Sequence, residues 1–292
     1  MKDRGDDLVD IFIKNSSFMG IEGHQTAPNI LMGIPLDVTT SHKPGTRWAP
    51  LWIRVASQGL EEYSPRLHRD LRDVPLRDVG DLALVPGRIE VNLQKIEAAA
   101  EMFLREGKFV VSLGGEHLIT YPLVRTARKC HPDLAVVQMD AHADLRKEYE
   151  GEKFSHATVM NLIGEEIGFE NLYQVGIRSL AREELDAAQK TNLFLGPLLP
   201  GLEKCLERLK ERPLYLTLDI DVVDPAFAPG TGAPEPGGAT SQEILEALYL
   251  LKDFPVVALD LVEVSPPSDR GDITSLLAAK ILREALLLWG KK

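Results

Sequence analysis

Cysteine is scarce in this sequence: Cys130 and Cys205 are the only two, and they form no Cys-x-x-Cys pair. A disulfide framework does not fit, and a reducing compartment is the default. No apolar run approaches the length of a membrane-spanning helix. The start, Met1-Lys2-Asp3-Arg4-Gly5-Asp6-Asp7, is too acidic for a secretory signal. These absences lead us to expect a cytoplasmic protein without a membrane partner. An excess of basic charge is also missing: 33 Lys and Arg face 44 Asp and Glu, a net charge of -11. That argues against nucleic acid or an anionic membrane as a partner, and it suits a cationic substrate or bound metal ions. Asn and Gln are sparse while Pro, at 19, is frequent, a hint of a thermophilic source. Internal repeats, low-complexity stretches and linkers are lacking as well, so residues 1–292 read as one domain.

What is present is an alternation of short β-rich apolar runs with helix-period segments. It predicts an α/β fold with a mostly parallel sheet flanked by helices. The clearest strands are Ile30–Ile34, Phe109–Leu113, Ala135–Met139, Leu172–Val175, Leu214–Leu218 and Val256–Leu261. Asn92 is placed to cap a helix carrying Leu93, Ile96, Ala100, Phe103 and Leu104, with Gly107 to end it. Thr240-Ser241-Gln242-Glu243 reads as a capping box before Ile244 and Leu248. Residues from about Ile273 to Trp289 are apolar almost all round, which predicts a buried helix before Gly290.

Polar clusters follow three of the strand runs directly. Leu113 precedes Gly114-Gly115-Glu116-His117. Met139 precedes Asp140-Ala141-His142-Ala143-Asp144. Leu218 precedes Asp219-Ile220-Asp221. Open parallel sheets bind ligands outside the carboxyl ends of their strands, so these segments deliver carboxylates and imidazoles to one edge. A lone Asp at a strand end more often caps a turn or helix. Two Asp-x-His/Asp clusters together with Gly-Gly-Glu-His exceed what capping explains. The set His117, Asp140, His142, Asp144, Asp219 and Asp221 holds four carboxylates and two imidazoles. It suits Mn²⁺ or a cation of similar hardness. A pair of such cations activates water near neutral pH and polarises the group it attacks.

Those blocks, with Ser155-His156 and Asp219-Ile220-Asp221-Val222-Val223-Asp224-Pro225, resemble in order the signature blocks of the ureohydrolase (arginase/agmatinase) family. Pro44-Gly45-Thr46-Arg47 through Ile53-Arg54, Glu263-Val264-Ser265-Pro266-Pro267 and Ala278-Ala279-Lys280 resemble further blocks of the same family. The resemblance spans most of the chain. It implies an arginase-like three-layer α/β/α fold, two Mn²⁺ per chain, release of urea from a small cationic guanidinium compound, and a homo-oligomer, trimer or hexamer by analogy. It further implies that His117 and Asp144 bind one ion, His142 and Asp221 the other, and that Asp140 and Asp219 bridge. Asp144 would also carry a proton toward the leaving amine, His156 would exchange protons with solvent, and Glu263 would hold the guanidinium.

Elementary chemistry agrees with these roles. A carboxylate such as Glu263 meets a planar guanidinium with two parallel hydrogen bonds. An unperturbed histidine titrates near neutrality, which suits His156 as a shuttle. Glu116 reads as a residue that orients a ligand or the backbone. His24, His42, His68 and His131 lie in no ligand cluster. Ala233 stands where many relatives carry Thr. Residues 145–154 look agmatinase-like, and Glu148, Glu150 or Glu152 could attract a terminal ammonium, whereas Arg146 and Lys147 could bind a carboxylate. Agmatine is therefore the expected substrate, with N1-aminopropylagmatine, arginine and guanidinobutyrate as alternatives. A phosphoesterase would need basic residues in the blocks, a one-zinc deacetylase a thinner ligand set, and a non-catalytic binding protein a lost ligand; none of these fits.

Overall fold

Strands buried on both faces need apolar side chains at successive positions rather than alternate ones. All six runs that meet this need are strands in the computed structural model, which describes residues 11–14, 16–21, 23–209 and 211–292. The acidic start, Met1 to Asp7, lies outside the described residues. In chain order the strands are β1 (Phe12–Ile13), β2 (Asn29–Ile34), β3 (Tyr63–Ser64), β4 (Arg69–Asp70), β5 (Leu76–Leu82), β6 (Phe109–Gly114), β7 (Ala135–Met139), β8 (Leu172–Ile177), β9 (Asn192–Leu195), β10 (Leu214–Asp219) and β11 (Val256–Val262). The helices are α1 (Ala49–Ser57), α2 (Ile89–Leu104), α3 (Thr120–Cys130), α4 (Val159–Ile167), α5 (Leu185–Ala188), α6 (Leu198–Arg208), α7 (Ser241–Leu250) and α8 (Ile273–Trp289).

One nine-stranded sheet runs β1-β5-β2-β6-β11-β10-β7-β8-β9, parallel throughout except for the β1–β5 edge pair. Alternate residues of each strand feed two cores. Leu31, Val111, Val137 and Leu216 pack with α1, α6, α7 and α8, while Ile30, Val110, Val136 and Tyr215 pack with α2, α3 and α4. The result is the three-layer α/β/α arrangement expected. Among the described residues no helix is long and apolar enough to cross a membrane.

The capping box forms as read: Thr240 Oγ1 accepts from Glu243 N at 3.1 Å and Glu243 Oε2 from Thr240 N at 2.8 Å. Helix α8 is buried along most of its length, and Gly290 follows it. Asn92 does not cap α2. The helix starts three residues earlier, at Ile89, because the Asn92 amide bonds both N and O of Val85, each at 2.8 Å. Strand β5 escaped the sequence reading because it carries Arg77, Asp78 and Asp81. Arg54 of α1 neutralises it, with Nε 2.7 Å from Asp78 Oδ2 and Nη2 2.9 Å from Asp78 Oδ1, and with Nη1 on Asp81. A Cβ at Gly33 would sit 1.9 Å from Asp81 Oδ1, so only glycine lets β2 pass this cluster.

Midway along the sheet a row of buried polar side chains crosses five strands. Ser112 of β6, Asp260 of β11, Thr217 of β10, Gln138 of β7 and Gln174 of β8 are paired in register. Each is 0 or 1% exposed. This row lies just beneath the carboxyl ends of the strands.

Candidate metal centre and active site

Strands β6, β11, β10 and β7 are neighbours, and the loops leaving their carboxyl ends converge. Gly115 makes the first turn possible: its Cα passes so close to Leu36 that a Cβ would lie 1.9 Å from the Leu36 carbonyl oxygen. That turn presents His117, which is 1% exposed. After β7 the chain stays paired with β8 and the segment beyond it, through Asp140 N to Val175 O at 3.1 Å and Ala143 N to Ser179 O at 3.2 Å. The alternation of Asp140 and His142 therefore persists, and the extended run stops at Asp144, whose φ is +52°. After β10 a tight turn closes as Asp219 Oδ1 accepts from Asp221 N at 2.9 Å.

His117 Nδ1 lies 3.2 Å from Asp140 Oδ2, 3.1 Å from Asp144 Oδ2 and 3.3 Å from Asp219 Oδ2. None of these is a properly directed hydrogen bond, and the buried Nδ1 has no such partner. One nitrogen facing three carboxylate oxygens at about equal range is what ligand atoms around a cation centre look like. His142 Nδ1 is 2.9 Å from Asp221 Oδ2 and 3.7 Å from Asp140 Oδ1. Two groups are thus formed, His117-Asp140-Asp219 and Asp140-His142-Asp221, and Asp140 belongs to both. The donor set fits a pair of divalent cations sharing Asp140. Asp144 stands beside the first group, and Asp219 contributes to the first group with its other oxygen on the Asp221 amide.

Two imidazoles cannot neutralise four buried carboxylates. Burial opposes charge everywhere here, but Asp140, contacted by both imidazoles, is held below its usual range. Asp144 is pushed up to about 7 by burial and by the Asp140 charge. Asp219 and Asp221 are pushed up by burial and by their acidic neighbours. His117 and His142 rise despite burial because of the carboxylates around them.

A cavity of about 290 Å³ opens above this cluster, with His142, Asp144, His156, Ala233 and Glu263 on its wall. Glu263 is 8% exposed and has φ +63°, a second non-glycine residue of the site held in the left-handed region. Its Oε1 accepts from His117 N at 2.7 Å. Burial, with the nearby Glu116 charge, pushes Glu263 up to about 8 against the pull of that amide. His156 is half-buried, with Nδ1 3.3 Å from the hydroxyls of Thr39 and Ser155. Burial and the positive charge of His117 push it down to about 4 in the metal-free chain, below the near-neutral value of a free imidazole. Glu116 orients backbone, as read: its Oε2 accepts from Val38 N at 2.9 Å and Thr39 N at 2.7 Å.

All the site residues expected from the sequence meet at this cavity or beneath it. His42, which as expected belongs to neither ligand group, also lines the cavity. Of the charged residues in the loop after β7, Arg146 lines the cavity, paired with Glu183 and stacked on the Tyr149 ring. Glu148, Glu150 and Glu152 do not line it; besides Glu263 and the proposed ligands Asp144, Asp219 and Asp221, its lining carries the carboxylate of Glu184. The sequence reading also missed Gln138, whose Nε2 donates to Asp140 Oδ2 at 2.6 Å. Gln138 and Thr217 each stand two residues before an Asp of the cluster. A polar residue in an otherwise apolar strand was the available signal.

The family model described as the arginase family matches residues 27–288. The chain belongs to the arginase family. An agmatinase of Bacillus anthracis is 46% identical over 266 residues, covering 90% of this chain and 92% of the relative. The agmatine ureohydrolase of Thermoplasma volcanium has a solved structure that superposes with a TM-score of 0.83 at 31% identity, covering 97% of this chain and 98% of that one. A guanidinobutyrase of Pseudomonas aeruginosa is 34% identical, covering 87% of this chain and 84% of the relative. This member of the arginase family is a hydrolase of the ureohydrolase type, in a family that depends on metal.

Proposed function

We propose that the protein hydrolyses agmatine to urea and putrescine at a pair of Mn²⁺ ions. The observation that carries this reading is the pair of ligand groups sharing Asp140 on the floor of a cavity whose wall carries Glu263. His117, Asp140, Asp144 and Asp219 would hold one ion, and Asp140, His142, Asp219 and Asp221 the other, with Asp140 and Asp219 common to both. When bound, the ions would activate water and polarise the guanidinium carbon.

The chain's own residues do the rest. Glu263 Oε1 is fixed on the His117 amide, and the carboxylate presents its remaining lone pairs to the guanidinium N–H groups. Ionised Glu263 also adds a negative charge that favours a cationic substrate over a neutral one. Hydrolysis forms a C–O bond, breaks the C–N bond to the alkyl amine, and must deliver both protons of the water to that nitrogen, which leaves as an ammonium. The second arrives by way of solvent, and the first is moved within the site. Asp144 is placed to accept it and hand it on. His156 has Nδ1 engaged by hydroxyls, which leaves Nε2 to exchange protons with solvent. Glu184, which also lines the cavity and accepts from the amides of Leu145 and Ala181, offers a carboxylate that suits the primary ammonium of agmatine. The similarity to an agmatinase over nine-tenths of the chain supports the same choice.

Arg146 on the wall favours a second reading, guanidinobutyrate, whose tail ends in a carboxylate. Arg146 is already paired with Glu183 and stacked on Tyr149, which weakens that reading. The test is urea release with added Mn²⁺ from agmatine, arginine, guanidinobutyrate and N1-aminopropylagmatine under one set of conditions. Agmatine should give the highest kcat/KM. A higher value for guanidinobutyrate or arginine would overturn the substrate, and no urea from any of the four would overturn the reaction.

A further inference from the structure

A histidine holds a cation through one ring nitrogen only if that nitrogen carries no proton. What the other nitrogen touches decides where the proton sits. For His117 the other nitrogen, Nε2, is 3.0 Å from Thr217 Oγ1. A threonine hydroxyl can give or take a hydrogen bond, so this contact alone fixes nothing. The next contact does. Thr217 Oγ1 lies 2.6 Å from Asp260 Oδ1. Asp260 is 0% exposed and accepts two more hydroxyls, from Thr120 Oγ1 at 2.9 Å and Tyr215 OH at 2.6 Å, both on Oδ2. All three hydroxyl protons are thereby committed to Asp260. Thr217 Oγ1 is left only as an acceptor toward His117, so Nε2 must be the protonated nitrogen. Nδ1 then turns its lone pair to the three carboxylates of the cluster.

We infer that Asp260, acting through Thr217, is a positioning residue that sets the tautomer and ring orientation of His117 for cation binding. Asp260 touches neither substrate nor ion. It is the β11 member of the polar row across the sheet, and the row places it in register with Thr217. The cost of a carboxylate with no cation beside it, deep in a parallel sheet, is otherwise hard to account for. Thr120 and Tyr215 satisfy it, but neither requires it; hydrophobic partners would fill the same space. His142 differs: its side chain is 27% exposed, and among the described residues no such hydroxyl chain stands behind it.

This inference rests on the proposed metal site, and the experiment separates the two. Mn²⁺ affinity is measured by competition with a calibrated chelator for the full chain and for Thr217→Val, Thr217→Ser and Asp260→Asn. Electron paramagnetic resonance follows whether the bound ions are spin-coupled. Thermal melting of each metal-free variant reports folding. Thr217→Val keeps the shape but removes the acceptor; Mn²⁺ affinity should fall roughly 10–100-fold, as for other partners that orient a metal ligand. The coupled signal should vanish at metal concentrations where the wild type shows it. Thr217→Ser should restore both. Asp260→Asn should weaken binding like the valine variant although Thr217 is present, because an amide facing Thr217 lets the hydroxyl proton swing to His117. Wild-type affinity in the folded valine variant would overturn the inference, as would a serine variant no better than valine. If the valine variant fails to fold, Asp260→Asn and Thr217→Ser decide alone. A wild-type chain that binds no Mn²⁺ would instead overturn the metal site itself.

Discussion

Asp140 is the residue on which both ligand groups depend, because its two oxygens face different imidazoles. Asp140→Ala should lose both ions and nearly all urea release, and elemental analysis of the dialysed variant checks it. His156 makes the contrasting case. It lines the cavity but lies in neither ligand group, so His156→Ala should keep its metal while turnover drops by roughly 10²-fold or more, the usual worth of a proton-transfer group. Metal content and kcat measured on the same sample separate the two. Most of this was legible in the sequence, because Asp and His at alternate positions after apolar runs have few other uses. What the sequence could not carry was environment. His156 alone suggests a group titrating near neutrality, yet burial in the folded chain and the charges of His117 and His142, which come from other segments, hold it down to about 4. The left-handed backbone of Asp144 and Glu263 was likewise unreadable, since neither is glycine.

At the scale of elements, the strands the sequence announced are those whose side chains face two apolar layers. Strand β5 was hidden because its charges are cancelled by a residue on another element. That cancellation predicts its own failure. Arg54→Met leaves Asp78 and Asp81 buried beside each other with no cation, and breaking a buried pair in this way costs about 3–5 kcal/mol. Thermal melting should show a lowered Tm in the Mn²⁺-free chain. A triple variant that also carries Asp78→Asn and Asp81→Asn should recover part of the loss. No recovery would mean that Arg54 acts through its packing and not its charge. Helix α2 teaches the same lesson from the other side. Asn92 looked like a cap because Asn prefers caps, but a side-chain bond to Val85 satisfied it better within the helix.

For the whole molecule, the fold gathers several of its 44 acidic residues in one buried place. In the metal-free chain Asp144 and Glu263 titrate near 7 and 8, far above the range of about 4 for an exposed carboxyl. Between about pH 4 and pH 8 the folded chain therefore holds protons that the unfolded chain has released, and stability falls as pH rises. Asp219, Asp221, His117 and His142 are shifted upward too and act in the same direction; His156, held down to about 4, opposes them between about pH 4 and pH 6.5, and Asp140, shifted downward, acts only at the acid end. Cations replace those protons. The Tm of the metal-free protein should drop from pH 5 to pH 8, and the gain on adding Mn²⁺ should grow over the same interval. Calorimetry at several pH values checks both, and a Mn²⁺ gain independent of pH would show that binding displaces no protons.

The sheet has a further consequence for how the molecule is made. Strand β11 comes last in the sequence among the described strands, yet it lies between β6 and β10, in the middle of the sheet. While a ribosome is still producing the chain, β6 and β10 have a gap between them until residues 256–262 emerge. His117 arrives on one side of that gap, and the aspartates after β7 and β10 arrive on the other. A growing chain therefore has its two half-sites apart and captures no metal pair. Closure waits for a pairing of large sequence separation, which is slow. The His117-Asp140-Asp219 group is therefore expected to be complete only once the last of the described strands has joined the sheet, as a zip closes from its final tooth.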